Sequence, residues 1–159
     1  MSLFDETHNI KSQLTADVLR SSGVVRLKVT GWSMLPTVWP GDTLVVEQAA
    51  SGQPVSGDIV LVLREGRLFA HRLIGEGAVD GDTEILTRGD AMLRTDPPVH
   101  KSGLVGKVTR IVRNGKSITP RRALRVSERA IAAVVRRSDL AARVVVGVHG
   151  LLQPTNVES

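Results

Sequence analysis

Short apolar runs, each bounded by Gly, Pro, Asp or Asn, fill the chain between Val24 and Ile118 and constrain its fold more than any other feature. The runs are VVRLKV, TLVVEQ, DIVLVL, RLFAHRLI, EILTR and LVGKVTRIV. Runs of this length between turn-forming residues are typical of β-strands. Apolar and polar residues alternate imperfectly within them, which suits strongly coiled sheets better than a flat one. We therefore predict a mainly β fold of several small coiled sheets.

Helical periodicity flanks this β region on both sides. Between Thr7 and Arg20, apolar residues recur at the spacing of an amphipathic helix, at Ile10, Leu14, Val18 and Leu19. Beyond Pro120, one helical face is expected to carry arginines and the other the apolar residues Leu124, Ile131, Val134 and Val135. We therefore predict an N-terminal amphipathic helix over residues 1–22, a β domain over 23–119 and a basic helical tail over 120–159.

The positive charge of the chain is concentrated in this tail. The formal net charge is +5, and the excess of arginines over acidic residues between Pro120 and His149 equals it. The rest of the chain is balanced, and two Trp, two Phe and no Tyr provide few rings for base stacking, so nucleic-acid binding is disfavoured. Residues 121–152 are expected either to dock on an acidic membrane surface or acidic protein partner, or to pack on the β domain with the arginines solvated.

The composition also excludes several kinds of chemistry. The chain has no cysteine, which excludes a thiolate nucleophile and cysteine-based metal sites. The histidines at 8, 100 and 149 lack the paired spacing of a metal site, so we expect neither a metal nor a cofactor. No segment approaches the roughly 20 apolar residues that span a bilayer. We therefore expect a soluble, cytoplasmic protein that can associate with the membrane only peripherally.

The segment GWSMLPTVWPGDTLVV places Ser33 in a bend rich in Gly and Pro. A serine at such a bend can project its hydroxyl group, and the backbone N–H groups of Ser33 and Met34 can stabilise an oxyanion. A serine in this setting is also a common turn residue, so the segment alone does not establish a nucleophile. Its large apolar residues fit a substrate groove or, more commonly, a core, and they are Trp32, Met34, Leu35 and Trp39.

His71 is the candidate base for this serine. It lies in the apolar run LFAHRLIG, far enough along the chain for a return strand. A neutral imidazole accepts a proton near pH 7, although a structural histidine on a strand fits the same pattern. Two carboxylates in RGDAMLRTDPPV, Asp90 and Asp96, are candidates for orienting the imidazole, and each also fits a turn.

We assign the orienting role to Asp96 and a mainly structural role to Asp90. A Gly-Asp pair favours a turn in which local hydrogen bonds to the backbone occupy the carboxylate. By contrast, Pro97 and Pro98 restrict the backbone after Asp96 and can hold its side chain in one direction. The reverse assignment, with Asp90 as the orienting residue, stays open.

Five segments carry a resemblance to a known superfamily: GWSMLPTVWPGDTLVV, SGDIVLV, FAHRLIG, LTRGDAMLRTDPPV and LVGKVTRIV. In this order they resemble the signal peptidase and LexA-type serine peptidases, over about residues 24–113. The resemblance implies coiled β-sheets that bind an extended peptide beside the nucleophile, with Ser33 at the nucleophile position. Bacterial signal peptidases and LexA-type autoproteases have a lysine base where this chain has His71. The endoplasmic-reticulum, archaeal and sporulation-type signal peptidases have histidine there, and their paired aspartates match Asp90 and Asp96.

Two features depart from the pattern of that superfamily. Familiar signal peptidases have transmembrane anchors, and none is predicted here, so the substrate need not be a secretory precursor. Gly31 stands where many bacterial relatives have a serine or threonine that adds a side-chain donor to the oxyanion hole. The backbone donors near Ser33 must then suffice.

The sequence therefore predicts a serine endopeptidase that cleaves a polypeptide by acyl transfer without a cofactor. Ser33 would attack the carbonyl group, His71 would remove and redeliver the proton, and Asp96 would orient His71. The alternative, from a different class, is a non-catalytic or self-cleaving regulatory domain that binds a peptide or its own tail. The presence of both Ser33 and His71 favours the enzyme.

Overall fold

The computed structural model describes residues 3–49, 52–79 and 81–136. It contains two helices, α1 (Leu3–Ser22) and α2 (Val126–Val135). Between them lie the strands β1 (Val24–Lys28), β2 (Thr43–Gln48), β3 (Ile59–Arg64), β4 (Arg67–Val79), β5 (Asp82–Arg88), β6 (Val99–His100), β7 (Leu104–Arg113) and β8 (Lys116–Ile118). A short 3-10 turn, Lys101–Gly103, joins β6 to β7. None of the helices in these ranges is long and apolar enough to cross a membrane.

The strands pair into one curled, antiparallel sheet in the order β1-β2-β7-β3-β4-β5-β6, with β8 paired to β7. The mainly β fold with a helix at either end is therefore confirmed, and its strands are connected through continuous hydrogen bonding. The register shifts within the β2–β7, β3–β7 and β4–β5 pairs. Such irregularities increase local twist, which explains why the apolar alternation in the sequence is imperfect.

Strand β3 lies at the centre of the sheet and is buried on both faces. Because successive side chains point to opposite faces, Ile59 and Leu61 join one apolar cluster, and Val60 and Val62 join another. The first cluster lies between the sheet and α1, and the second is completed by residues from β4, β5 and β6: Leu73, Ile85 and Val99. This burial on both sides explains the continuous apolar run IVLVL in the sequence.

Helix α1 packs on the sheet through Leu19, one of the four apolar residues that its sequence periodicity indicates, and through Ala16, while the other three are exposed. Ile10 and Leu14 are 64% and 61% exposed, whereas Ala16 and Leu19 are fully buried. The close contact is made at Gly106 of β7, where a Cβ atom would lie only 2.8 Å from Leu19 Cδ2. The absence of a side chain at this glycine therefore sets how closely the helix approaches the sheet.

The described part of the basic tail packs on the β domain. Val135 of α2 is buried in a cluster with Leu35 and Ala91, whereas Val134 is 55% exposed. Arg122 also forms an ion pair with the buried carboxylate of Asp58. Residues 137–152, which belong to the segment expected to dock on a membrane or acidic partner, lie outside the described residues.

Substituting Gly106 with alanine should destabilise the protein. The new Cβ would lie 2.6 Å from the backbone carbonyl oxygen of Glu47, which cannot move without disturbing the β2–β7 pairing. We expect the free energy of unfolding to fall by about 1–3 kcal/mol in a chemical denaturation experiment. Gly77→Ala is the matched control, because a Cβ at Gly77 meets no atom within 4 Å. Equal stability of the two variants would show that the space around Gly106 can accommodate a methyl group without cost.

Candidate active site

Ser33 lies in the loop that connects β1 to β2. Two backbone hydrogen bonds close the base of this loop, from Val29 N to Asp42 O and from Gly41 N to Val29 O, both at 2.8 Å. The buried Asp42 carboxylate accepts hydrogen bonds from the Arg113 guanidinium of β7, at 2.9 and 2.7 Å. The tip of the loop is held separately, because Ala91 N donates to Ser33 O at 2.9 Å. The loop that carries Ser33 is thus held in place by hydrogen bonds both at its base and at its tip.

His71 lies on β4 and is almost fully buried, at 6% exposure. Its position is set by antiparallel pairing with β3, in which it lies opposite Val60. The Phe69 ring packs at a tilt against the imidazole, with ring centroids 6.0 Å apart. A buried imidazole between strands has little rotational freedom, so its two nitrogens point in fixed directions.

The structure brings Ser33, His71 and Asp96 into one hydrogen-bonded line. Ser33 Oγ lies 2.9 Å from His71 Nε2, and His71 Nδ1 lies 2.6 Å from Asp96 Oδ2. An ionised carboxylate can only accept hydrogen bonds, so the Nδ1 atom of His71 must carry the proton. In the neutral imidazole this leaves the Nε2 lone pair directed at the Ser33 hydroxyl, which is the tautomer that a general base requires.

Asp96 is held in its ionised form by its hydrogen bonds. Its backbone N–H donates to Thr87 O at 2.8 Å, and its Oδ2 atom accepts from the Thr87 hydroxyl at 2.6 Å. Burial raises the pKa of Asp96, but the hydrogen bonds from His71 and Thr87, with the charges of His71 and Arg64, outweigh burial and lower it. A carboxylate with a lowered pKa remains an acceptor for His71 over a wide pH range.

Asp90 lies close to this line but has other partners. Its two carboxylate oxygens accept hydrogen bonds from Arg72 Nε and Nη2, at 2.7 and 2.6 Å, and the Thr37 hydroxyl also donates to it. Both members of the ion pair are buried, at 7% exposure for Arg72 and 5% for Asp90. The expectation that Asp90 is mainly structural fits this contact, but the physical reason differs. Arg72, rather than a local turn, occupies the carboxylate.

Two backbone donors beside the serine are available to a ligand. Within the residues that the structure describes, no acceptor takes the N–H of Ser33 or of Met34, although Leu35 N donates to Trp32 O in the same turn. Both N–H groups belong to the segment that projects the Ser33 hydroxyl. Backbone N–H groups next to a serine nucleophile are the kind of donor that can stabilise an oxyanion.

A cleft of about 440 Å³ opens beside Ser33 and His71. Its walls come from residues 27–31, at the end of β1, and from residues 68–71 of β4. Strand β1 ends the sheet, and β4 pairs with β5 only from Arg72 onward, so both walls present strand edges without a neighbour in the described sheet. The floor is apolar and includes Met34, Val38, Leu44 and Leu61. Such a cleft can accept an extended peptide through main-chain hydrogen bonds.

The large apolar residues around Ser33 divide between core and cleft. Met34 is buried in the main core and also lines the cleft. Leu35 is fully buried, and Trp32 and Trp39 pack around it away from the cleft. Core packing, the more common expectation, therefore describes all four residues, and Met34 also lines the cleft.

Two residues at the site escape the sequence analysis. Thr87 follows the apolar residues Ile85 and Leu86, and nothing in the sequence distinguishes its hydroxyl from that of any strand threonine. Arg72 offers a clearer signal, because a charged residue directly after His71 in an apolar strand must have a buried partner. Within the described part of the chain, no group of three or more histidine or acidic side chains is arranged to hold a metal ion.

Comparison with protein-family models identifies a match for this chain. The sequence model of the family described as Peptidase S24-like matches residues 2–82, slightly more than half of the chain. The matched range contains Ser33 and His71 and ends before Asp90 and Asp96. No curated protein matches the chain significantly.

The Asp96 carboxyl group should titrate below the ordinary aspartate value of 3.8. Because its pKa is lower in the folded state than in the unfolded state, ionised Asp96 stabilises the fold above pH 3.8. That contribution is lost as the pH falls through the lower folded-state pKa. Carboxyl-carbon NMR across an acid titration measures this pKa directly, with Asp96→Asn used to assign the resonance. A midpoint above the ordinary value would mean that burial outweighs the hydrogen bonds.

Proposed function

The chain belongs to the Peptidase S24-like family, and on this basis we propose that it is a serine endopeptidase with Ser33 as nucleophile and His71 as general base. The observation that carries the proposal is the 2.9 Å contact between Ser33 Oγ and His71 Nε2. A serine hydroxyl is a weak nucleophile unless an adjacent base accepts its proton. A domain that only binds peptides has no need of this contact, so it supports the enzyme over the binding module.

The proposed reaction proceeds through an acyl-enzyme. Ser33 Oγ attacks the scissile carbonyl carbon while His71 Nε2 takes the hydroxyl proton. The N–H groups of Ser33 and Met34 stabilise the resulting oxyanion, and His71 then returns its proton to the leaving amine as the C–N bond breaks. A water molecule, deprotonated by His71, hydrolyses the ester and regenerates Ser33. Asp96 keeps the Nδ1 proton in place and stabilises the imidazolium form in both halves.

The proposed substrate is an extended polypeptide. Within the described sheet, β1 and residues 68–71 of β4 each have one edge without a neighbouring strand beside the cleft, and these edges offer main-chain donors and acceptors, which recognise a backbone whatever its sequence. The apolar floor, with Met34 and Leu61 among its residues, favours apolar side chains on the acyl side of the scissile bond. This arrangement needs no cofactor for the chemistry described above.

Removing either the nucleophile or the base should abolish cleavage. We expect Ser33→Ala and His71→Ala each to lower kcat/KM on a synthetic peptide mixture by on the order of 10⁴-fold or more, as mass spectrometry of the products would measure. The double variant should be no worse than either single one, because the two groups act as one unit. Ser117→Ala, at an exposed serine on β8, is the matched control and should retain full activity. Full activity in either site variant would remove this mechanism.

Substituting the two aspartates should have different effects, with Asp96→Asn lowering turnover and Asp90→Asn lowering stability. Asp96→Asn can still accept hydrogen bonds but no longer favours the required tautomer, so we expect kcat to fall by on the order of 10³–10⁴-fold with little change in melting temperature. Asp90→Asn leaves the buried Arg72 charge without compensation, so the free energy of unfolding should fall by about 3–5 kcal/mol. A stable, inactive Asp90→Asn beside an active Asp96→Asn would reverse the assignment of roles.

A further inference from the structure

Two arginines face one another across the sheet behind the candidate active site. Arg72 of β4 and Arg88 of β5 are direct partners in the antiparallel register, so their side chains leave the same face of the sheet. Side chains in this arrangement start about 5 Å apart at their Cβ atoms, and like charges placed there repel. A pair of this kind requires negative charge nearby.

Helix α2 brings two more arginines to the same place. Arg129 lies on α2 and Arg136 is its C-cap residue, and a separation of seven residues puts both on one side of the helix. Together with Arg72 and Arg88 they line a cleft of about 370 Å³ between the sheet and the helix. Four arginines from three elements therefore line one cleft.

The residues that line this cleft carry too little negative charge to balance the four arginines. Asp90 is the acidic residue among those lining it in the described part of the chain, and its carboxylate oxygens are occupied by Arg72 and Thr37. The guanidinium groups of Arg88 and Arg129 have no hydrogen-bond or ion-pair acceptor within residues 3–49, 52–79 and 81–136. The Nε atom of Arg136 is buried and also lacks an acceptor among those residues. A buried donor without an acceptor is costly, which points to a missing oxygen ligand.

We propose that this cleft binds an oxyanion of the phosphate type through Arg88, Arg129 and Arg136. Guanidinium groups present paired N–H donors that match phosphate oxygens, and a tetrahedral oxyanion can accept from several of them at once. The volume falls at the lower end of the range for small-molecule sites, so it accommodates a phosphate group together with the group that it esterifies. The phosphate belongs either to a soluble phosphate ester or to an anionic lipid headgroup.

The anion site is linked by short contacts to the loop that holds Ser33. Arg136 Nη2 donates to the backbone carbonyl of Asp90 at 2.7 Å, and the next residue, Ala91, donates to Ser33 O at 2.9 Å. An anion held by Arg136 would thus stabilise the segment that supports the nucleophile. Binding itself does not depend on peptidase activity, and it can be measured whether or not the chain cleaves peptides.

The test uses the full chain and two probes. Inorganic phosphate is titrated by calorimetry at low ionic strength, and vesicles of phosphatidylglycerol, with phosphatidylcholine as reference, are used in flotation. Arg88→Ala and Arg129→Ala should each weaken phosphate binding roughly tenfold, because each removes a charge-assisted hydrogen bond. Arg110→Ala removes an exposed arginine of β7 that does not line the cleft, and it should bind like the wild type. Circular dichroism melting verifies that the variants are folded.

Each outcome either identifies the source of the phosphate group, as a soluble ester or a lipid headgroup, or contradicts the proposed anion site. Phosphate binding with the expected loss in Arg88→Ala and Arg129→Ala, but no selective flotation, assigns a soluble phosphate ester. Flotation with phosphatidylglycerol that shows the same dependence on the two arginines assigns a lipid headgroup. Absence of binding to both probes would overturn the proposal, as would an equal loss in Arg110→Ala, which would indicate diffuse attraction to a basic surface.

Discussion

The buried ion pair between Arg72 and Asp90 connects the parts of the molecule on which the candidate site depends. Arg72 directly follows His71 on β4, and Asp90 lies in the segment between β5 and Asp96. Their bidentate contact joins the strand that carries the proposed base, His71, to the loop that carries its proposed orienting group, Asp96. Arg72 also donates to the backbone carbonyls of Gly57 and Arg121, both at 2.7 Å. The same guanidinium therefore contacts the loop before β3 and the segment after β8. Removing one charge would leave the other buried and uncompensated.

Asp90 and Asp96 are proposed to have different roles because their surroundings differ. Asp90 is neutralised by a permanent cation, so its charge is already balanced and is unavailable to His71. Asp96 receives hydrogen bonds from a neutral hydroxyl and from His71, so a positive charge that develops on the imidazole would be stabilised there. The same separation explains the expected responses to mutation. Under the proposed mechanism, the Asp90 carboxylate contributes to the stability of the fold, and the Asp96 carboxylate holds the proton on Nδ1 of His71.

The sequence predicts most of the fold and the members of the site, for reasons that are local. Strands such as β3 are evident because apolar runs bounded by turn residues have few alternative structures. Asp96 is distinguished from Asp90 by the prolines that follow it. The sequence does not show which residues that are far apart in the chain contact one another in the folded protein. The contact of Arg72 with Asp90, the hydroxyl of Thr87 and the packing of Val135 on Leu35 each depend on how the sheet curls. The sequence indicates the buried face of α1 only in part, because the close contact of Leu19 is made with Gly106 of another element.

The central claim is that His71 activates Ser33 for nucleophilic attack, and covalent labelling tests it without knowledge of the substrate. A fluorophosphonate that reacts with activated serines would be added to the purified full chain, and the modified residue would be identified by peptide mass spectrometry. The account predicts a single adduct on Ser33, formed much more slowly in His71→Ala even though that variant remains folded. An unmodified Ser33, or labelling of Ser33 at the same rate without His71, would contradict it.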